Sequence, residues 1–99
     1  MKRYVRGSEI YNDALSVDQL ISVLEDYKYD LPIGDDMFLE TTDGISFNLF
    51  WHSPSINLNW YPIVEIHYNG EEVFWKEGTE NPDYWYTLVD AAIDKIRGL

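Results

Sequence analysis

Cysteine is missing from this 99-residue chain. Disulfide stapling and thiolate chemistry go with it, and a reducing, cytoplasmic setting is the natural expectation. Long apolar runs are missing too: none approaches the roughly 20 residues of a membrane span. The basic start, Met1-Lys2-Arg3-Tyr4-Val5-Arg6, leads into no apolar stretch and does not read as a signal peptide. Glycines 34, 44, 70, 78 and 98 are isolated, so there is no glycine-rich loop to cradle a phosphate. Only His52 and His67 offer a base near neutral pH, and no G-x-S-x-G elbow accompanies them. The plain reading of His67 and Glu72 is a surface cross-strand pair worth roughly 0.2–1 kcal/mol, rather than a catalytic dyad. His52, His67, Glu65 and Glu72 can converge in principle, but without a close-spaced His motif or an EF-hand loop no metal and no cofactor are expected.

Positive charge is the other shortage. Eighteen acidic residues face seven basic ones, a formal net charge of -11. Three of the seven lie within the first six positions, and Lys95 and Arg97 lie at the other end. From Gly7 to Asp94 the eighteen acids meet only Lys28 and Lys76, a balance of -16. Self-repulsion on that scale costs stability. It also disfavours direct nucleic-acid binding, because phosphates are bound by Lys and Arg that release counterions.

Apolar residues, by contrast, are plentiful. Hydrophobic residues make up 45% of the chain and aromatics 16%, which argues against disorder. Four Trp and eight Tyr exceed what one core of this size needs. Some of those rings should be partly exposed, where Tyr and Trp act as interface anchors.

Periodicity places the elements. Residues 1–14 read as either a loosely packed arm or an edge strand carrying Tyr4, Val5, Ile10 and Tyr11. Ser16 and Gln19 form a capping box, Leu15 and Leu20 a hydrophobic staple, and Val17, Leu20, Ile21, Leu24 and Tyr27 a helical stripe. Asp43-Gly44 predicts a two-residue turn that pairs Thr42 with Ile45, Glu40 with Phe47 and Phe38 with Leu49. Asn69-Gly70 predicts a second, pairing Tyr68 with Glu71, Ile66 with Val73 and Val64 with Trp75. Residues 53–59 read as a polar connector. Asn81 caps a last helix, with Pro82 first, Asp83 in its first turn, a Trp85-Leu88-Val89-Ala92-Ile93-Ile96 stripe and Gly98 at its stop. The fold class is therefore α+β: one domain, 1–99, with a four-stranded antiparallel meander of two hairpins, a fifth strand if the N-terminus pairs, and two helices packed on one face.

On that framework Phe38, Phe47, Trp51, Trp75 and Trp85 belong to buried faces, whereas Phe50, Trp60, Tyr61, Phe74, Tyr84 and Tyr86 are harder to place inside. The acids point further. Asp83, Asp90 and Asp94 lie off the apolar stripe of the last helix, and Asp90 and Asp94 are one turn apart with no basic residue at the intervening i+4 spacing to neutralise them. The candidate partner-binding residues are Asp83, Tyr86, Asp90, Asp94, Glu71, Glu72, Phe74 and Tyr84.

The expected function is non-enzymatic: an inhibitor that occupies a basic surface of a nucleic-acid-binding or nuclease protein, with carboxylates standing in for phosphates. Neither direct nucleic-acid nor membrane binding is expected, and the state is a monomer or weak homodimer. In size, acidity and lack of cysteine the chain resembles anti-CRISPR and anti-restriction proteins as a class. An immunity protein or antitoxin against a cationic nuclease toxin follows the same physics. A small metal- or His-dependent enzyme is the reading from another class, and a solvated acidic surface that merely disperses the molecule is the plainest.

Overall fold

Residues 3–5, 9–11, 14–53 and 60–99 are described by a computed structural model. The N-terminal segment contributes two strands, β1 (Arg3–Val5) and β2 (Glu9–Tyr11). Then come α1 (Val17–Tyr27), β3 (Met37–Glu40), β4 (Ile45–His52), β5 (Tyr61–Tyr68) and β6 (Glu71–Glu77). A 3₁₀ turn (Pro82–Tyr84) leads into α2 (Trp85–Arg97). The strands form one antiparallel sheet in the order β2-β1-β3-β4-β5-β6. The meander expected from the two hairpins is β3 to β6, and β1 extends it along β3. Of the polar connector, residues 54–59 lie outside the described residues.

The helices obey their capping chemistry. Ser16 Oγ accepts from the Gln19 amide at 3.1 Å, and the Gln19 side chain accepts from the Ser16 amide at 2.9 Å. Leu15 joins the segment before α1 to β3: its amide donates to the Glu40 carbonyl and its carbonyl accepts from the Thr42 amide, both at 2.9 Å. Asn81 caps as expected, yet the first turn it caps is 3₁₀, and the α-helix proper starts at Trp85. Gly98 ends α2 with an ordinary negative φ, so the glycine's left-handed freedom is not used there.

The second hairpin turns as predicted. Asn69 and Gly70 both have positive φ, 52° and 85°, as a two-residue type I′ turn requires, and Tyr68 pairs with Glu71. Past His67 and Glu72 a β-bulge inserts Val73, so Ile66 pairs with Phe74 and Glu65 with Trp75. The bulge inverts the expected faces beyond it. Phe74 packs against the core with Val73, and Trp75 is 51% exposed on the other side. Phe74, expected as a contact residue on the outer face, is partly buried against the core.

The first hairpin departs sooner. The Thr41 amide donates to the Ile45 carbonyl at 2.8 Å, the Ile45 amide donates to Thr41 Oγ1 at 3.0 Å, and Gly44 has φ +92°. The loop is thus three residues, Thr42 to Gly44, with glycine in the left-handed position. Glu40 pairs with Ser46, Leu39 with Phe47 and Met37 with Leu49, one residue off the predicted register. A one-residue slip exchanges the two faces of a strand. The reason is burial: the predicted register would put Glu40 beside Phe47 in the core, whereas the observed one puts Met37, Leu39 and Thr41 inside and turns Phe38 and Glu40 outward.

Both helices cover the same face of the sheet. Leu20, Leu24 and the α2 stripe Trp85, Leu88, Val89, Ala92, Ile93 and Ile96 pack onto Met37, Leu39, Ile45, Phe47, Leu49, Val64 and Ile66. Among the described residues no helix lies on the opposite face of β3 to β6, and its cross-strand rows follow from the register. Glu40, Ser46, His67 and Glu72 make one row, Phe38, Asn48, Glu65 and Trp75 the next, then Phe50, Ile63 and Glu77.

Candidate protein-interaction surface

Two indole N–H groups build the surface at the head of α2. Trp85 is 5% exposed and packs edge-on against half-buried Trp51, ring centroids 4.9 Å apart. Trp85 Nε1 donates to the Thr79 carbonyl at 2.7 Å, and Trp51 Nε1 donates to the Asp35 carbonyl at 2.8 Å. One ring pair therefore holds two loops: residues 78–81 before the 3₁₀ turn, and residues 30–36 after α1. Buried indole N–H groups need such acceptors, and here the acceptors are loop backbone. The loops are also braced from within. Asn81 Oδ1 accepts from the Asp83 amide at 3.0 Å, the Asn81 amide donates to Thr79 Oγ1 at 3.3 Å, and the Asp35 amide donates to the Pro32 carbonyl at 2.9 Å.

What these loops present is apolar. Large hydrophobics that stay exposed among the described residues are Tyr29, Ile33, Trp60, Trp75, Tyr84 and Leu99. Tyr29, Ile33 and Trp60, at 75%, 59% and 47% exposure, line adjoining shallow depressions that share Pro82. Tyr84, 56% exposed, stands on the same turn as Pro82, and Tyr86 lays its ring against Tyr29 at 5.5 Å. Asp30, Glu80 and Asp83 lie in the walls of those depressions. A cluster of exposed rings with a carboxylate rim matches the anatomy of a protein interface, with aromatic anchors inside and polar groups around them.

The residues expected to form one contact face divide. Asp83, Tyr84 and Tyr86 belong to the helix-head surface. Asp90 is paired: Lys28 Nζ, from just beyond α1, sits 2.9 Å from Asp90 Oδ1 and 2.9 Å from Glu25 Oε2. The hydrogen bond it donates to Glu25, and after it that to Asp90, holds the lysine above its ordinary value of 10.5. An i+4 search along α2 could not find this partner, because it comes from the residue that caps α1. Asp94 is exposed further along α2. Glu71 and Glu72 lie at the opposite end of the molecule. Glu71 pairs with Tyr68, which lines a cleft with Ile96 and Arg97 where α2 terminates. Glu72 faces outward on the uncovered side of the sheet. Of the residues that place the surface, Tyr29 and Ile33 escaped sequence reasoning. Their signal was an apolar Ile between Pro32 and Gly34, in a loop where no helix or strand needs it.

The four candidate metal ligands also divide. Glu65, His67 and Glu72 converge, with one ligand atom from each lying within 4.8 Å of the others. His67 Nε2 and Glu65 Oε1 are hydrogen-bonded. His52 packs instead edge-on against Tyr61 at 5.3 Å. Burial, with the charges of Glu77 and Glu80 added, pushes the Tyr61 phenol above its ordinary value.

No helix among the described residues is long and apolar enough to cross a membrane. The chain matches no protein-family model, no curated protein and no solved structure in comparisons with each.

Proposed function

We propose that the protein is a non-enzymatic inhibitor that docks onto a basic, nucleic-acid-binding surface of a larger protein. The observation that carries the reading is the helix-head surface: exposed Tyr29, Ile33, Trp60 and Tyr84 beside Asp30, Glu80 and Asp83, on a chain of net charge -11. Exposed rings supply the desolvated anchor, and the carboxylates meet the Lys and Arg that the partner uses for phosphates. Complementary charge speeds encounter and makes it sensitive to salt. Neutralisation of a cationic nuclease toxin by an immunity protein uses the same physics, and the captured partner decides between the two.

Affinity capture from a host lysate at low and high salt, followed by a mobility-shift assay with the captured protein, tests the reading. The expected partner is a nucleic-acid-binding protein that salt releases and that the acidic chain displaces from its nucleic acid. A partner that keeps its nucleic acid bound while holding this chain contradicts the reading.

A further inference from the structure

The uncovered side of the sheet holds a donor set that this docking surface does not use. Glu65 and His67 are two apart on β5, hence on one face, and Glu72 is the direct cross-strand neighbour of His67 on β6. Two carboxylate oxygens and an imidazole nitrogen come within 4.8 Å of one another. The strand that supplies two of the three is hydrogen-bonded on both sides, by β4 and by β6. Glu65 and His67 are half-buried, with side chains 27% and 30% exposed, so their donors are partly screened from water before any ion arrives.

We propose that Glu65, His67 and Glu72 bind one divalent first-row transition metal ion, with zinc as the test ion. Charge supports it: two carboxylates balance a divalent ion, and the outward positions of β3 to β6 carry Glu40, Glu65, Glu72 and Glu77 with no Lys or Arg among them. Lys76, opposite Val64, belongs to the other face. Donor chemistry supports it as well. The imidazole distinguishes the trio from a plain group of acids, because a nitrogen donor suits zinc, cobalt or nickel, whereas magnesium and calcium prefer oxygen alone. Ion binding at His67 Nε2 takes the place of its hydrogen bond to Glu65 and requires the neutral ring to carry its hydrogen on Nδ1. Three protein donors leave a fourth tetrahedral position to water. The ion would clamp β5 to β6 beside the bulge.

The site lies across the sheet from the helix-head surface and is independent of it. Calorimetric titration of the full chain with zinc chloride should give one ion per chain, bound at least about tenfold more tightly than magnesium or calcium. Cobalt chloride should give the intense visible bands of a tetrahedral site. Glu72→Gln and His67→Ala should each weaken zinc by roughly tenfold or more, while His52→Ala leaves it unchanged. Glu72 is exposed, so its variant should keep the fold, which far-ultraviolet circular dichroism checks. Equal binding of magnesium, unchanged zinc affinity in either ligand variant, or no saturable binding would overturn the proposal.

Discussion

The helical layer has two regions with the same kinds of residue and opposite uses for them. In its middle, Lys28 bridges Glu25 and Asp90 at 2.9 Å each, and Arg97 reaches Glu25 at 3.9 Å. Charges there face one another and tie α1 to α2. At its head, Asp83 and Glu80 stand beside exposed rings. The difference teaches that net charge is not a map of available charge. Lys28 and Arg97 sit where the two helices meet, which makes part of the carboxylate surface structural and leaves another part to face outward.

Substitutions can break that contrast in graded steps. The largest effect is expected from Trp60→Ala combined with Tyr84→Ala. Anchor rings of an interface contribute about 2 kcal/mol or more each, so the pair should lower partner affinity by roughly a thousandfold. Melting temperature should hardly move, since both rings are exposed. A large drop in melting temperature would show that they brace the fold instead. Next comes Trp85→Phe, which keeps the aromatic body and removes the N–H donor to the Thr79 carbonyl. A lost buried hydrogen bond costs about 1 kcal/mol, read in urea unfolding, and the loop it held should loosen, with weaker partner binding as the sign.

Lys28→Met probes the middle region and should lower stability; because Lys28 also lines the depressions beside Tyr29 and Pro82, its readout is urea unfolding of the free chain rather than partner affinity. The lysine's folded value is raised above its ordinary 10.5. The sign follows: its contribution is fully present below the ordinary lysine value and is lost only as pH rises through the higher folded one. Wild type and Lys28→Met should therefore differ in urea midpoint by a constant amount near neutral pH, and converge only in strong alkali. A gap that closes already between pH values of about 7 and 9 would contradict this account. The smallest effect belongs to Asp94→Lys, an exposed position on α2. Stability should change by no more than about 0.5 kcal/mol, and partner binding should lose on-rate rather than residence time, as stopped-flow kinetics would show.

Much of the fold was legible because local signals were mutually consistent. Ser16, Gln19 and the α1 stripe agree, and so do Asn81, Pro82 and the α2 stripe. Register was legible only where the turn alone decides it. Asn69-Gly70 supplies two positive φ angles and closes a two-residue turn. Asp43-Gly44 looks equivalent in sequence, but Thr41 Oγ1 caps the Ile45 amide and burial of Met37 and Leu39 selects the longer loop. The bulge at Val73 had no local mark at all: it lets Phe74 join the core and turns Trp75 out. The candidate surface was half legible for a related reason. Asp83, Tyr84 and Tyr86 share one turn of chain, whereas Tyr29, Ile33 and Trp60 reach them through tertiary packing that the Trp51–Trp85 pair establishes. The pairing of Asp90 was not legible, because its counterion lies 62 residues away.

The most direct test measures the affinity of the captured partner for wild type and for the Trp60→Ala, Tyr84→Ala protein, side by side at low and high salt. The double substitution and added salt should each weaken binding, and the residual binding of the variant should depend on salt as steeply as wild type's does. A variant that binds as tightly as wild type would place the contact elsewhere on the molecule and contradict the account.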